Sequence, residues 1–277
     1  MTREDTEATS ADEPDALRAQ GIDPGKKDQI QILRPDWKIP GVNAGFTLRT
    51  GGVSKPPYDS LNLAMHVGDN PDDVRENRRR LIDHASLPEE PRWLKQVHGT
   101  RVVHASDVER DITEADAVWT DQPGQVCAVM VADCVPILLA AKDGSCVAAV
   151  HAGWRGLAAG VIEATIAAMP VAGEELLAVI GPCISAEHYE VGEEVIDHLR
   201  AAEITPCWQS VPLIADCVKL DLVATVRAFL CNCGVDCACA ERLCTFKSVS
   251  MLYSYRRSGL TGRSIGMIQR HDRPMCS

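Results

Sequence analysis

The chain has 277 residues, 45% of them hydrophobic, which is enough for one large domain or two small ones. Its 28 basic and 39 acidic residues leave a net charge of −11, which disfavours binding to duplex nucleic acid or an anionic membrane, because both call for clustered Lys and Arg. The apolar runs are too short to span a bilayer, and the acidic stretch Met1–Gln20 lacks the apolar segment of a secretory signal, so a cytoplasmic protein is expected.

In chain order, residues 1–29 are polar, acidic and rich in Pro, Gly and Ala, and read as a mobile tail ahead of a domain spanning 30–277. Gly45–Thr50 reads as a strand ending at Gly51-Gly52. Pro71–His84 reads as a helix, with Val74, Asn77/Arg78 and Leu81 at helical spacing. Val126–Val131, Pro136–Ala141 and Cys146–His151 are short apolar runs with the character of central strands, and Asp143-Gly144 predicts a tight hairpin between the last two. Gly156–Met169 predicts one helix stopped by Pro170, and Leu176–Ile180 a buried strand. Val191–Ala202 and Leu220–Cys231 are amphipathic and read as helices, and Ser264–Gln269 as a last strand. Strands joined by hairpins as often as by helices point to an α+β fold with mixed or antiparallel sheets and helices packed outside.

Three residues carry the chemistry. Cys134, in Ala132-Asp-Cys-Val-Pro136, and His151, in His151-Ala-Gly-Trp-Arg-Gly156, each end an apolar run beside small residues, and His98 sits in a similar setting in Lys95-Gln-Val-His-Gly99. Two imidazoles and one thiolate form a three-ligand set for a tetrahedral metal with an open fourth position, the pattern of a catalytic zinc site. The alternative makes Cys134 a core thiol and the histidines ordinary hydrogen-bonded residues, and spacing does not separate the two. Asp116 is placed to fix the tautomer of a ligating His, and Asp133 adjoins Cys134. Arg49 at its glycine turn, and the loop carrying Arg256, Arg257 and Arg263, have the composition of anion cradles, as solvated basic loops also do. Of the twelve Cys, most are expected to be reduced core residues, and the cluster Cys231–Cys244 reads as adventitious rather than as a second metal site.

Together these motifs resemble the laccase-domain family. Besides the stretches around His98, Cys134 and His151, the resemblance covers Arg49-Thr-Gly-Gly-Val-Ser54, Ser60-Leu-Asn62, His66-Val-Gly-Asp69, Ala115-Asp-Ala117, Ile180-Gly-Pro-Cys-Ile-Ser185 and Tyr253-Ser-Tyr-Arg-Arg257 with Thr261-Gly-Arg263, in consistent order from about residue 40 to 270. Members were labelled multicopper polyphenol oxidases and are described as purine nucleoside phosphorylases with adenosine deaminase side activity, and a bacterial branch is called peptidoglycan editing factor. The resemblance implies a single domain layered α-β-β-α, zinc (or copper) held by His98, Cys134 and His151, and a purine nucleoside and phosphate as substrates. It implies catalytic roles for Cys134, His151 and Asp133, and substrate or phosphate contacts from Arg49, Gln96, Arg155, Arg256 and Arg257, in a monomer or homodimer. Met251-Leu-Tyr253, Ser258 and the Cys-rich segment depart from the family's usual pattern.

Chemistry discriminates among these labels. A multicopper oxidase needs many imidazoles, usually as His-x-His pairs, and this chain has eight His and no such pair. Phosphorolysis needs a positioned phosphate and stabilisation of the departing base, which an arginine-rich metal site supplies. Two further readings stay open: a thiol hydrolase acting on peptidoglycan precursors, with Cys134 as nucleophile and His151 as base, and a non-enzymatic metal-binding protein.

Overall fold

The computed structural model describes residues 22–23, 25–202, 207–210, 217–240 and 243–272, so most of the tail expected at 1–29 lies outside the described residues. Its described end is tied to the body: Ile22 is buried, the Gly51 N–H donates to the Lys27 carbonyl, and the Thr50 hydroxyl donates to the Gln29 carbonyl.

The elements run β1 (Ile32–Leu33), β2 (Val42–Thr47), α1 (Pro71–Ala85), β3 (Val102–His104), β4 (Ala117–Thr120), β5 (Val126–Val131), β6 (Val135–Ala141), β7 (Val147–Ala152), α2 (Trp154–Ala159), α3 (Val161–Ala168) and β8 (Leu176–Ile180). Then come β9 (Glu190–Gly192), α4 (Glu193–Ala201), β10 (Cys207–Ser210), β11 (Cys217–Asp221), α5 (Leu222–Asn232), β12 (Asp236–Ala240), α6 (Tyr255–Ser258) and β13 (Ser264–Arg270). An antiparallel four-stranded sheet has the order β1-β2-β13-β5, a mixed six-stranded sheet the order β12-β8-β6-β7-β4-β3, and β10-β11-β9 form a small third sheet.

The alternation of strand side chains builds the layers. On β6, Leu138 and Ala140 pack with Val129, Phe46 and Ile268 of the four-stranded sheet. Their neighbours Ile137 and Leu139 pack with Leu157, Ile162, Leu199 and Phe229 from α2, α3, α4 and α5. The far face of the four-stranded sheet, with Ala128, Met130 and Ile265, meets Leu81 of α1 and Trp93. The result is the expected α-β-β-α layering, and the chemistry gathers at the seam between the two sheets.

Helix α1 forms as its sequence prescribes. Asn70 accepts a hydrogen bond from the Asp72 N–H, Pro71 occupies the first turn, and Val74, Asn77, Arg78 and Leu81 are the buried face. The helix expected over Gly156–Met169 is two helices, because Gly160 adopts a left-handed φ of 92° that closes α2 before α3 begins. The helices expected from Val191 and Leu220 begin later, at Glu193 and Leu222. The first residues of each stretch pair instead as β9 and β11, with Val218 opposite Val191, so a long-range ladder overrides local helical periodicity. The strand expected over Gly45–Thr50 is Val42–Thr47, since β13 pairs with residues 42–46 and β1 with 46–47. The Asp143-Gly144 hairpin is present between β6 and β7, with Gly144 at a φ of 76°.

Candidate active site and metal centre

Topology brings the three proposed ligands together. The turn Ala132–Cys134 carries the chain from β5 in one sheet to β6 in the other, with Asp133 at a φ of 98°. His151 is the penultimate residue of β7, and Val135 pairs with Ala152, so Cys134 and Gly153 meet just beyond the ladder's end. A methyl group on Gly153 would lie 3.1 Å from Cys134 Sγ and 3.0 Å from His98 Cδ2, so glycine is what leaves room for the ligands. His98 arrives from the loop before β3, itself at a left-handed φ of 60°.

Asp116 organises this loop. Fully buried, it accepts from the backbone N–H groups of His98 (2.9 Å), Gly99 (2.7 Å) and Val97 (3.2 Å) and from His151 Nδ1 at 2.8 Å. Burial pushes its pKa up, but the His151 hydrogen bond and the backbone donors outweigh that and hold it below the usual carboxylate range. With Nδ1 engaged, His151 has Nε2 left for the Cys134 side. The Cys134 thiol is likewise held below its ordinary pKa: burial opposes this, and the positive His151 and hydrogen bonds from both imidazoles overcome it. His151 shifts upward, its burial outweighed by the Cys134 and Asp116 charges. Other thiols behave differently: burial raises those of Cys127 and Cys183, and that of Cys146 to about 11, as for inert core residues.

The donor atoms of His98, Cys134 and His151 lie within 4.8 Å of one another, with His98 Nε2 3.9 Å from Cys134 Sγ. A tetrahedral zinc with Zn–N of about 2.0 Å and Zn–S of about 2.3 Å needs ligands separated by about 3.3–3.6 Å, so small side-chain movements suffice. Among the described residues, this is the one group of three or more His, Cys, Asp or Glu side chains that could hold a metal, and the Cys231–Cys244 cluster forms none there. All eight histidines are described, and only His98 and His151 converge. His104 packs on Trp119, His188 on Phe246, His198 on Trp154, and His271 pairs with Asn43.

The trio opens into a cavity of about 430 Å³, within the range of small-molecule sites. Arg155, Arg256 and Arg263 line it, as do the aromatic rings of Trp154, Tyr189 and Tyr255. Of the four proposed arginines, Arg155 and Arg256 line the cavity, whereas Arg49 and Arg257 are not among the lining residues. Arg49 donates to the carbonyls of Asp59 and Val249 and pairs with the Asp59 carboxylate. Arg257 spends its guanidinium on the carbonyls of Thr245, Phe246 and Leu252. Both hold the loops behind the cavity, because short polar loops need donors for their carbonyls.

Gln96 and Asp133 do line the cavity, with their polar atoms committed. The Gln96 amide donates to the Met130 carbonyl (2.8 Å) and accepts from its N–H (2.7 Å), pinning the His98 loop to β5. Asp133 accepts from the Thr245 hydroxyl (2.6 Å) and the Arg256 N–H (2.7 Å), joining the turn that carries Cys134 to the arginine loop. Sequence reasoning gave no role to Tyr189, which stands in the wall with Arg256 5.1 Å above its ring. His66 also lines the cavity, and its only signal was the motif His66-Val-Gly-Asp69.

A family model described as multi-copper polyphenol oxidoreductase laccase matches residues 43–271. The chain belongs to this family. Family relatives include purine nucleoside phosphorylase PA4543 of Pseudomonas aeruginosa, 45% identical over 87% of this chain and 98% of its own length. Another is purine nucleoside phosphorylase YfiH of Shigella flexneri, 43% identical over 86% and 98%. Among solved structures, Neisseria meningitidis protein NMB0706 superposes with a TM-score of 0.80 at 41% identity, covering 87% of this chain and 99% of that one. YlmD from Geobacillus stearothermophilus gives 0.77 at 33%, covering 84% and 93%.

Proposed function

We propose that the chain is a zinc-dependent purine nucleoside phosphorylase acting on adenosine, inosine, guanosine and methylthioadenosine, with adenosine deaminase as a side activity. The observation that carries this reading is the His98–Cys134–His151 trio, open on one side to a cavity bordered by arginines and aromatic rings. The names of the relatives at 43–45% identity point the same way. The donor set suits one zinc or copper ion, and the dispersed histidines do not assemble the several copper centres of a true laccase.

Bound there, the metal would supply Lewis acidity or a lowered pKa for water. Asp116 holds His151 in one tautomer and His98 in its strained loop. Arg155 and Arg256 bind inorganic phosphate, and Trp154, Tyr189 and Tyr255 offer faces to the purine. A phosphate oxygen forms the bond to the ribose C1′ as the bond to purine N9 breaks, and that electron pair leaves with the base. Cys134 and His151 act as ligands, and Asp133 orders the loop that presents Arg256. The enzyme is placed in the cytoplasm, as a monomer or homodimer, with a small-molecule substrate and neither nucleic acid nor membrane as partner.

The deciding experiment incubates the zinc-loaded protein with each nucleoside, with and without phosphate. Free base appearing only with phosphate supports phosphorolysis, and inosine formed from adenosine without phosphate supports the deaminase. Absence of both products overturns the reading.

One observation favours a second reading. Asp116, His151 and Cys134 are linked in the order of a carboxylate–imidazole–thiol relay, which suits a thiol hydrolase editing peptidoglycan precursors. That activity would survive chelators and be lost to alkylation, the reverse of the metal-dependent case.

A further inference from the structure

Cationic side chains line the cavity in two groups, Arg155 and Arg256 around Tyr189, and Arg263 beside His66. The first group gathers around Tyr189, which feels the charge of both Arg155 and Arg256. Arg155 lies on α2, stacked 4.4 Å over Trp154, and Arg256 lies on α6, 5.1 Å over the Tyr189 ring. The second group comes from the side of the four-stranded sheet. Arg263 directly precedes β13 and lies 5.8 Å from Tyr255, and His66 stands within its electrostatic reach. Among the described residues, none of these three arginines has a carboxylate at salt-bridge distance, unlike Arg49 with Asp59 or Arg78 with Asp111.

Their hydrogen bonds are also incomplete. Arg256 gives Nη1 to the Glu190 carbonyl, and Arg263 gives Nη1 to the carbonyls of Thr261 and Gly262. Among the described residues, Nε and Nη2 of both have no protein partner and remain for a ligand, as does the fork of Arg155. Burial lowers the pKa of Arg263, the signature of a charge removed from water without a full counter-ion. Asp133, the carboxylate in the wall, has both oxygens committed to Thr245 and the Arg256 backbone. A half-buried guanidinium with spare donors and no acid partner among the described residues is a site for an anion that arrives with the ligand.

We propose that the cavity holds two anions at once: inorganic phosphate beside Arg155 and Arg256 and, beside Arg263 and His66, a phosphoryl group carried by the nucleoside itself. Purine nucleoside 5′-monophosphates are thus ligands of this site. The purine is taken from the function proposed above, while the second anion rests on Arg263 and its surroundings.

The test is calorimetric titration of the full, zinc-loaded chain with adenosine 5′-monophosphate and with adenosine, each with and without saturating inorganic phosphate. The monophosphate should bind ~10-fold or more tightly than adenosine, and phosphate should weaken its binding by less than about threefold. Arg263→Gln should erase the advantage of the monophosphate over adenosine, bringing the two affinities within about threefold of each other, and Arg263→Lys, which keeps the charge, should restore part of it. Equal affinity for monophosphate and nucleoside in the unmodified protein overturns the proposal whatever the variants do, as does full competition by phosphate. Assaying adenosine phosphorolysis on the same preparation separates the two readings. Tight monophosphate binding without phosphorolysis removes the proposed activity and keeps this site, and turnover without a monophosphate advantage does the reverse.

Discussion

Asp116 Oδ1 lies 2.8 Å from His151 Nδ1, and the same carboxylate accepts the backbone N–H of His98 at 2.9 Å. One buried acid thus fixes two of the three candidate ligands, through the ring of one and the main chain of the other. Asp116→Asn keeps the shape but turns an acceptor-only group into one whose amide donors face other donors. We expect zinc affinity to fall ~10–100-fold and the metal-free protein to lose about 1–3 kcal/mol of stability. Competition against a chromophoric chelator and chemical denaturation measure the two effects, and an unchanged zinc affinity would remove Asp116 from this role.

Gly153 is the spacer between His98 and Cys134. Gly153→Ala places a methyl 3.1 Å from Cys134 Sγ and 3.0 Å from His98 Cδ2, while the residue's φ of −78° imposes no backbone strain on alanine. The expected outcome is a folded protein with little bound zinc. Metal analysis together with circular dichroism checks it, and full zinc occupancy would show that the ligands can spread at no cost. Cys134→Ala should lose metal and activity together, and a zinc-free, fully active variant would remove the metal from the reaction.

Much of this arrangement was legible in the sequence. Each strand and helix around the trio has a local cause: the continuous apolar runs of β5, β6 and β7, the Asp143-Gly144 turn, and the capped, amphipathic α1. Cys134 and His151 were legible as candidate ligands because each sits at the polar end of an apolar run beside small residues, and His98 because its setting before Gly99 is similar. What a linear reading missed was set by long-range pairing. Nothing local distinguishes Arg155, which reaches the cavity, from Arg257, whose guanidinium serves three carbonyls of its own loop. The same holds for β9 and β11, whose periodicity is helical until their partners are known.

That distinction between arginines is testable. Arg257→Ala leaves the carbonyls of Thr245, Phe246 and Leu252 without their donor, and should cost about 1–3 kcal/mol in stability. Arg155→Ala breaks no protein hydrogen bond recorded among the described residues, and should leave Tm nearly unchanged while raising the KM for phosphate ~10-fold or more. Thermal melts and phosphate titrations of both variants should give opposite patterns, and the same pattern in both would erase the distinction.

The pH dependence of anion binding should report His66. Its pKa is lowered by burial and by the positive charge of Arg263, with Asp111 opposing and Arg78 adding to the shift, so it is neutral at pH 7 in the free protein. A bound dianion offsets Arg263 and raises the His66 pKa. By linkage, affinity for the anion then grows as pH falls through the raised His66 pKa of the complex toward the lowered one of the free protein. Sulfate is the suitable probe, because it does not titrate in this range and phosphate does. Sulfate affinity of the unmodified chain should rise several-fold between pH 7.5 and 5.5, and that of His66→Gln should rise distinctly less. Equal slopes in the two proteins would place the titrating group elsewhere in the cavity.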